Sequence, residues 1–496
     1  MATARRGQVQ LSLLGEAKRA IEQTLGERST TLGPVGQVIT PPPVATMMAG
    51  WVDPLPASPI RILDPGAGTG VLSGALIERI LAEQKSARVH VEAYEPDSSL
   101  AAGARDHYAS LRSLAAKHDI GLTYAVNETD YLLEPATGLG TPTRGVGLHD
   151  VVIMNPPYSK IRKNGPQSLA AGHIIYGQPN IYALFLSKSS RELRPGGLLV
   201  AITPRSWLSG SYFSRMRVDF LNRMAIDRIH SFESRGAVFA DQSVLQETIV
   251  FRAQTFSGNR RPLVRVSVSS GLDDLADSTT FALQWSFLLP REHSAPFRLP
   301  ENLFQIGALR ELNGLKNRLS DLRLRVATGQ VVPFRTKPLL RREPDSRVAV
   351  VPLVWMTHVT KAGLAWEPVG SADRPSFIVR TGQDRGLVIP GEEMVLVRRF
   401  SAKEDRARVI ACHVPKGVLG SHIAVENHLN IIDGFERGSG RVLAGALCNY
   451  LNSPLVDDYI RAESGTTQVN ASDLLNLPVP ERQTLIARWS RRSSDE

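Results

Sequence analysis

The sequence predicts an α/β fold in its first half and an α+β domain in its second, and three observations carry that expectation. From Ile60 to Phe251, short β-branched runs alternate with amphipathic helical stretches, the pattern of a parallel sheet wrapped by helices. The first run ends in a glycine-rich turn and the fourth in a turn rigid with proline. Around Thr255–Pro262 (TFSGNRRP) the alternation stops, which places the main boundary there.

Taken in order, the candidate strands are Ile60–Asp64, Val89–Tyr94, Leu122–Val126, Asp150–Met154, Leu198–Thr203, Ile226–Ser231 and Leu245–Phe251, a seven-stranded sheet. Helical stretches fall near Val71–Ala82, Ser98–Lys117, Ile181–Leu193 and Ser211–Met224. Residues 1–35 read as a helical extension, 36–258 as one domain and 259–496 as another. The second half shows short strands such as Val348–Val354 and Glu393–Val397, and two basic stretches, Arg335–Arg342 and Arg398–Arg408.

Composition narrows the class. A length of 496 residues suits two or three domains. Hydrophobic residues at 42% and charged residues at 21% exclude wholesale disorder. Two cysteines, Cys412 and Cys448, cannot build a disulfide framework or a multi-cysteine zinc site, and no metal-ligand spacing appears. No apolar run approaches the roughly 20 residues of a membrane helix. The amino terminus lacks a signal peptide's apolar block, so the expectation is a soluble cytosolic protein. The formal charge of +10 is compatible with a polyanionic partner.

The first strand runs into Asp64-Pro65-Gly66-Ala67-Gly68-Thr69-Gly70, a turn that brings backbone close to a ligand at a helix N-terminus. A dinucleotide fingerprint would place glycine or alanine at 71, where this chain has valine. A P-loop would need a Lys-Ser/Thr pair, which is missing. An acid followed by Gly-x-Gly-x-Gly suits a cationic, amino-acid-bearing nucleoside, and S-adenosylmethionine is that ligand. Glu95 closes the second strand, where a carboxylate can take both ribose hydroxyls. Asp130, followed by Tyr131, comes after the third strand, where a carboxylate can accept from the adenine amine.

After the fourth strand comes Asn155-Pro156-Pro157-Tyr158, at a carboxyl end of the sheet, where open α/β sheets bind ligands. An exocyclic amine on a base is a poor nucleophile because its lone pair is delocalised into the ring. The Asn155 side-chain oxygen and the Pro156 carbonyl can each accept one N–H from it, and the prolines pre-aim both acceptors. Tyr158 offers a ring face for the base.

These motifs resemble the amino DNA methyltransferases of bacterial type II restriction–modification systems, in the adenine-N6 group with the gamma motif order. In that family a Thr-Pro segment, here Thr40-Pro41, precedes the glycine loop and closes over the methionine end of the cofactor. PGGLLVAITPRSWL (Pro195–Leu208) resembles the family's later sheet segment. GAVFADQSVLQETIVF resembles the segment whose phenylalanine, here Phe239, stacks on the other face of a flipped adenine. LVRRFSAKEDRARVIA, IAVENHLNII and SGTTQVNASDLLNLPVP resemble the target-recognition region of the BsuBI/PstI-like branch. The resemblance covers about Gly36 to Pro480. It implies a Rossmann-like S-adenosylmethionine-dependent fold with a carboxyl-terminal target-recognition domain. It also implies double-stranded DNA as substrate, a separately encoded restriction endonuclease as functional partner, and a monomer.

Base flipping costs a few kcal/mol, which stacking by Tyr158 and Phe239 plus two hydrogen bonds would offset. Lys160, Arg162 and Lys163, in the loop after the catalytic turn, are either phosphate contacts or a solvated charge run. Arg335, Lys337, Arg341, Arg342, Arg398 and Arg399 are candidates for gripping the duplex. Asn427, His428, Gln468 and Asn470 are either base readers or structural amides. Rival acceptors for an Asn-Pro-Pro-Tyr turn are guanine N2 in ribosomal RNA, release-factor glutamine and cytosine N4. A nuclease built on Asp64 and Glu83-Gln84-Lys85 and a catalytically dead binding module complete the alternatives.

Overall fold

The computed structural model describes residues 39–134, 148–162, 164–172, 174–177, 180–233, 247–256, 261–290, 295–344, 346–371, 373–380, 386–401, 405–436, 438, 440–463 and 468–490. The expected amino-terminal helical extension lies outside them. The chain divides into two compact units, Met1–Glu301 and Asn302–Glu496.

The first unit opens with helix α1 (Pro42–Gly50), entered through Pro41, whose carbonyl accepts the first amides of the helix. Strand β1 (Ile60–Pro65) then leads into α2 (Val71–Glu83). Strand β2 (Ala87–Tyr94), α3 (Ser98–Ala116) and β3 (Ile120–Asn127) follow, with the Asp97 carboxylate capping α3 through the amides of Ser99 and Leu100. Next come β4 (His149–Met154), α4 (Pro166–Ala170), α5 (Ile181–Glu192), β5 (Leu193–Pro204), α6 (Ser214–Leu221), β6 (Met224–Phe232) and β7 (Thr248–Thr255). All six residues of β4 are buried, as a central strand covered on both faces requires.

The strand order is β3-β2-β1-β4-β5-β7-β6, with β7 antiparallel to both its neighbours and β3 to β5 mutually parallel. Two further strands, β8 (Leu263–Ser269) and β9 (Thr279–Gln284), extend the sheet to nine, where the sequence suggested seven. The boundary at 258 therefore needs correcting: the sheet continues through Gln284, and the segment to Glu301 is tied to it. Arg205, at the end of β5, donates to Glu301 Oε1 at 2.9 Å and to the Leu299 carbonyl at 2.9 Å, and Ser231 on β6 donates to the same carboxylate. Phe297 and Leu299 are buried beside them. The TFSGNRRP segment connects β7 to β8, two strands that flank β6 in the same sheet. A connection within a sheet and a domain linker share the same turn chemistry.

The second unit is α+β. One antiparallel sheet runs Arg325–Thr328, Leu429–Asp433, Met394–Arg398, Ala411–Val414, and a five-stranded sheet is centred on Val350–Val354. Their shared core joins Val354, Ile423 and Val425 to Met394, Leu396, Cys412 and Leu429. Helices Gly440–Leu451, Pro454–Glu463 and Arg482–Trp489 belong to the same unit.

Trp207 anchors the core of the first unit. It is fully buried, 5.7 Å from the Phe220 ring and 5.3 Å from the Phe251 ring, and its indole N–H donates to Thr203 at 3.0 Å. Replacing it by alanine should cost roughly 3–5 kcal/mol. Chemical unfolding of the full chain measures this as a lowered midpoint of the first unit's transition. An unshifted midpoint would place the ring outside the cooperative core.

Candidate functional site

The site is built where β1, β2, β3 and β4 end. At Gly66 and Ala67 the backbone amides both donate to the Tyr94 carbonyl at 2.9 Å, which folds the loop back over β2. Gly66, Gly68 and Gly70 all have positive φ, at 75°, 56° and 76°. A methyl group on Gly66 would sit 3.6 Å from the Phe185 ring, 3.7 Å from Pro157 and 3.9 Å from the Asn155 carbonyl. A methyl there would make ordinary contact with all three, so the glycine loop and the Asn-Pro-Pro-Tyr turn lie side by side. Around Gly68 the space is open: a side chain there would meet nothing within 4 Å.

Two carboxylates border this loop, Asp64 and Glu95, and a third, Asp130, follows β3. Asp64 is buried; its Oδ2 accepts from Ser73 Oγ at 2.6 Å and from the Ser73 amide at 3.3 Å. Its Oδ1, shielded from solvent, accepts no hydrogen bond among the described residues. Glu95 is buried too, accepting from the Gly68 amide at 3.0 Å and the Asp97 amide at 2.9 Å, so it braces the loop from beneath. Asp130 accepts from the Leu132 amide at 2.9 Å and from the Gln167 side chain at 2.8 Å.

On the other side, the Asn155 amide donates to Thr40 Oγ1 at 3.0 Å. This joins the Thr-Pro segment before α1 to the end of β4 across 115 residues of chain. With its NH₂ directed at Thr40, the amide presents its oxygen as acceptor. Pro156 and Tyr158 are buried and Pro157 half-buried. The Tyr158 hydroxyl donates to the Ile202 carbonyl at 3.4 Å, and its ring meets Tyr182 edge-on. Burial pushes its hydroxyl well above the ordinary range, so it stays protonated.

The structure therefore brings together Thr40, Pro41, Asp64, Gly66, Gly68, Gly70, Glu95 and Asn155–Tyr158, with Asp130 a short loop beyond β3. Tyr131 is adjacent in sequence but turns inward. Its hydroxyl donates to Glu192 at 3.0 Å, and the Lys188 ammonium lies 4.3 Å from its ring centre. Phe239 and Lys163 lie outside the described residues. Lys160 and Arg162 are exposed. The segment that carries them is pinned at its base by the Ile181 amide, which donates to the Ser159 carbonyl at 3.0 Å.

Two residues were missed by sequence reasoning. Gln167 holds Asp130 from α4, and Phe185 covers Gly66 from α5. A glutamine in a polar loop carries no signal, and Phe185 reads as one more apolar position of an amphipathic helix.

In the second unit, Arg335, Lys337 and Arg342 are exposed. Arg341 is half-buried and donates to the carbonyls of Pro338 and Leu340. Arg398 is committed to the Val359 carbonyl at 2.7 Å. Arg399 donates to the Asn427 carbonyl at 2.7 Å and toward Gln468 and Asn470 at 3.4 Å each. Asn470 precedes helix Ala471–Asn476, its amide donating to Asp473 at 2.7 Å. Glu83 of the nuclease alternative pairs with Arg79 at 2.7 Å on the exposed side of α2.

Residues 118–239 match the Eco57I restriction-modification methylase family. The chain is 28% identical over 475 residues to the type II methyltransferase M.PstI of Providencia stuartii, covering 95% of this chain and 92% of that protein. It is 29% identical over 490 residues to the type II methyltransferase M.BsuBI of Bacillus subtilis, covering 95% and 94%. Over nearly its whole length the chain is thus similar to methyltransferases of type II restriction–modification systems. The fold is accordingly the Rossmann-like one of S-adenosylmethionine-dependent methyltransferases, and that compound is the methyl donor. The residues fit it: an open glycine cradle, a buried acceptor on Asp64 with no partner, and an acid at each successive strand end.

Burial raises the Asp64 carboxyl from its ordinary 3.8 to about 7, in spite of the Ser73 hydrogen bonds. Because the folded value is the higher one, the group's stabilising contribution is complete below about pH 4 and is lost as pH rises through 7. A bound cation reverses the preference by favouring the carboxylate. Affinity for S-adenosylmethionine should therefore rise between pH 6 and 8, with proton release visible by calorimetry in buffers of different ionisation enthalpy. Asp64→Asn should flatten that rise. A wild-type profile no steeper than the variant's would separate Asp64 from the cofactor's charge.

Proposed function

We propose that this methyltransferase acts on the N6 amine of an adenine rotated out of double-stranded DNA, at a specific sequence. The observation that carries the reading is the Asn155–Thr40 hydrogen bond beside the glycine loop, because it aims an acceptor at the place where a base amine must sit. In that role the Asn155 oxygen and the Pro156 carbonyl each accept one N–H of the amine. This localises the nitrogen's lone pair as it rehybridises and turns it toward the cofactor. S-adenosylmethionine supplies an electrophilic methyl group on a sulfonium sulfur. Pro156 and Pro157 remove the backbone freedom that would blur the two acceptors. Asparagine rather than serine opening the turn favours adenine over cytosine N4.

Glu95 and Asp130 take the roles of ribose and adenine partners, and Thr40-Pro41 closes the methionine end. Tyr158 and Phe239 flank the flipped base. Lys160, Arg162, Lys163, Arg335, Lys337, Arg341 and Arg342 are the proposed phosphate contacts. Arg398 and Arg399 act instead through the loops they hold. Residues 302–496 supply target recognition. The chain works as a cytoplasmic monomer alongside a separately encoded endonuclease that cuts the same unmodified sequence.

Native-DNA sequencing after incubation with purified protein and S-adenosylmethionine should locate N6-methyladenine at one recurring sequence. Asn155→Ala should lower the methylation rate by roughly 10²–10³-fold, the size of losing one aimed polar group at a reacting centre, while cofactor affinity is kept. Methylation at cytosine, or an unimpaired Asn155→Ala enzyme, would overturn the reading.

A further inference from the structure

The far end of the nine-stranded sheet carries a charged row that methyl transfer does not use. Arg228 on β6 lies opposite Arg252 on β7, and also opposite Arg265 on β8. Residues opposite one another in a sheet share a face, so three arginines stand abreast across adjacent strands, about 4.8 Å per step. The next position across, on β9, is Ala282. Like charges side by side are destabilising, so the row requires compensation.

A β-bulge supplies part of it. The β6–β7 register shifts between Ile226 and Arg228, so that Asp227 and Arg228 together oppose Arg252. Asp227 takes Arg252 in a forked ion pair, with Nε donating to its two oxygens at 2.8 and 3.1 Å and Nη2 bonded to Oδ2. The Nη1 of Arg252 donates to the carbonyls of Trp51 and Asp53 at 3.0 and 2.7 Å. Arg252 is fully engaged. Arg228 and Arg265 are not: among the described residues neither is hydrogen-bonded to an acid. Burial, and next the neighbouring charge of Arg252, push the Arg228 guanidinium below its ordinary range. Beside this pair lies a cavity of about 350 Å³, whose wall is completed by Pro262, Leu263 and Ala282 and by the Asp227–Arg252 ion pair.

We propose that this cavity binds a phosphate group carried on a nucleoside, with Arg228 and Arg265 as its donors. Guanidinium forks match phosphate oxygens, which would supply the negative charge the row lacks. The apolar wall suits an attached sugar or base. Two sources share this chemistry: a phosphodiester of the DNA duplex, or the phosphate of a free nucleotide. The first rests on the DNA-methylating function proposed above. From the end of β4 the sheet crosses β5, β7 and β6 to reach Arg265 on β8. Those four strand steps amount to on the order of 20 Å, about six base-pair rises along a duplex.

The test uses the full-length chain, Arg228→Gln/Arg265→Gln, and Arg228→Lys/Arg265→Lys as the charge-preserving control. Duplex binding is followed by fluorescence anisotropy over a salt series, with target-bearing and unrelated duplexes; ATP binding is followed by calorimetry. If a strand phosphate is held, the glutamine pair weakens both duplexes by the same factor, about 5- to 50-fold. The salt slope then becomes shallower by roughly 0.9 per lost phosphate, and the lysine pair recovers most of the loss. If the source is a nucleotide, duplex affinity stays as it was, while ATP binding present in the wild type disappears in the glutamine pair. Identical behaviour of wild type and glutamine pair in both assays overturns the proposal. Should the double variant fail to fold, Arg265→Gln alone, at an exposed position, gives the same readouts. A wild-type chain that methylates no duplex would defeat the proposed function separately, leaving the ATP measurement to decide this site.

Discussion

Everything at the carboxyl edge of the sheet depends on one close approach, that of the glycine loop after β1 to the Asn-Pro-Pro-Tyr turn after β4. The two strands are hydrogen-bonded neighbours, so their exit loops must share the space above them. On one side of the loop a methyl on Gly66 would just reach ordinary contact with Pro157 and Phe185, so what glycine supplies there is its positive φ of 75°. On the opposite side, a methyl on Gly70 would sit 2.8 Å from the Tyr108 ring. Tyr108 in turn shares a 2.7 Å hydrogen bond with Ser73, which donates to Asp64. The loop is therefore fixed tightly on its Gly70 side and lies next to the turn of the neighbouring strand on its Gly66 side. Proximity of that kind removes translational and rotational entropy from the reaction before it starts.

Beneath the site lies an unusual amount of buried charge. His149 at the start of β4 bonds Glu92 on β2 at 3.0 Å, and that hydrogen bond leads the effects that hold the Glu92 carboxyl down at about 2. Asp150 accepts from the Arg61 amide at 2.6 Å and pairs with Arg194 at 2.5 Å, joining β4 to the strands on either side. Lys188, almost fully buried, is held against the Tyr131 ring and hydrogen-bonded to the carbonyls of Tyr131 and Glu134. Pairs of this sort add little net stability, since desolvation offsets most of their attraction. Their effect is geometric: a register slip of one residue would leave several charges unpaired. The loop bearing Asp130 inherits that fixity through Tyr131.

Much of this was readable from the chain. Each of the first four strands lies within two residues of the bounds read from sequence, because each carries a β-branched or aromatic run bounded by helix or turn signals. The site motifs were legible because chemistry demands rare residues at fixed spacing: three glycines in five positions, and asparagine before two prolines. What escaped was whatever depends on tertiary pairing. The strand order, with β7 inserted between β5 and β6, leaves no local trace. Strands β8 and β9 alternate exposed and buried positions at the sheet's end, a weaker pattern, and the turn before β8 resembles a domain linker. Gln167 joins the candidate site only because a short helix after the Asn-Pro-Pro-Tyr turn folds back toward Asp130.

The basic residues of the second unit show why counting charge overstates contact. Arg398 and Arg399 look in sequence like the strongest DNA-gripping pair, two adjacent arginines at the end of a strand. In the structure each gives a donor to a backbone carbonyl, and Arg399 also reaches two side-chain amides. A guanidinium anchored in this way keeps its charge, which is felt over a Debye length of about 8 Å at physiological salt. It gives up the forked hydrogen bonds that would hold a phosphate in place. Such residues draw a polyanion toward the surface without fixing its register. Arg335, Lys337 and Arg342 are instead exposed, with side chains placed to reach outward. The same distinction separates Arg252 from Arg228 and Arg265 in the first unit. What a chain's net charge promises, its hydrogen-bond pattern apportions between structure and recognition.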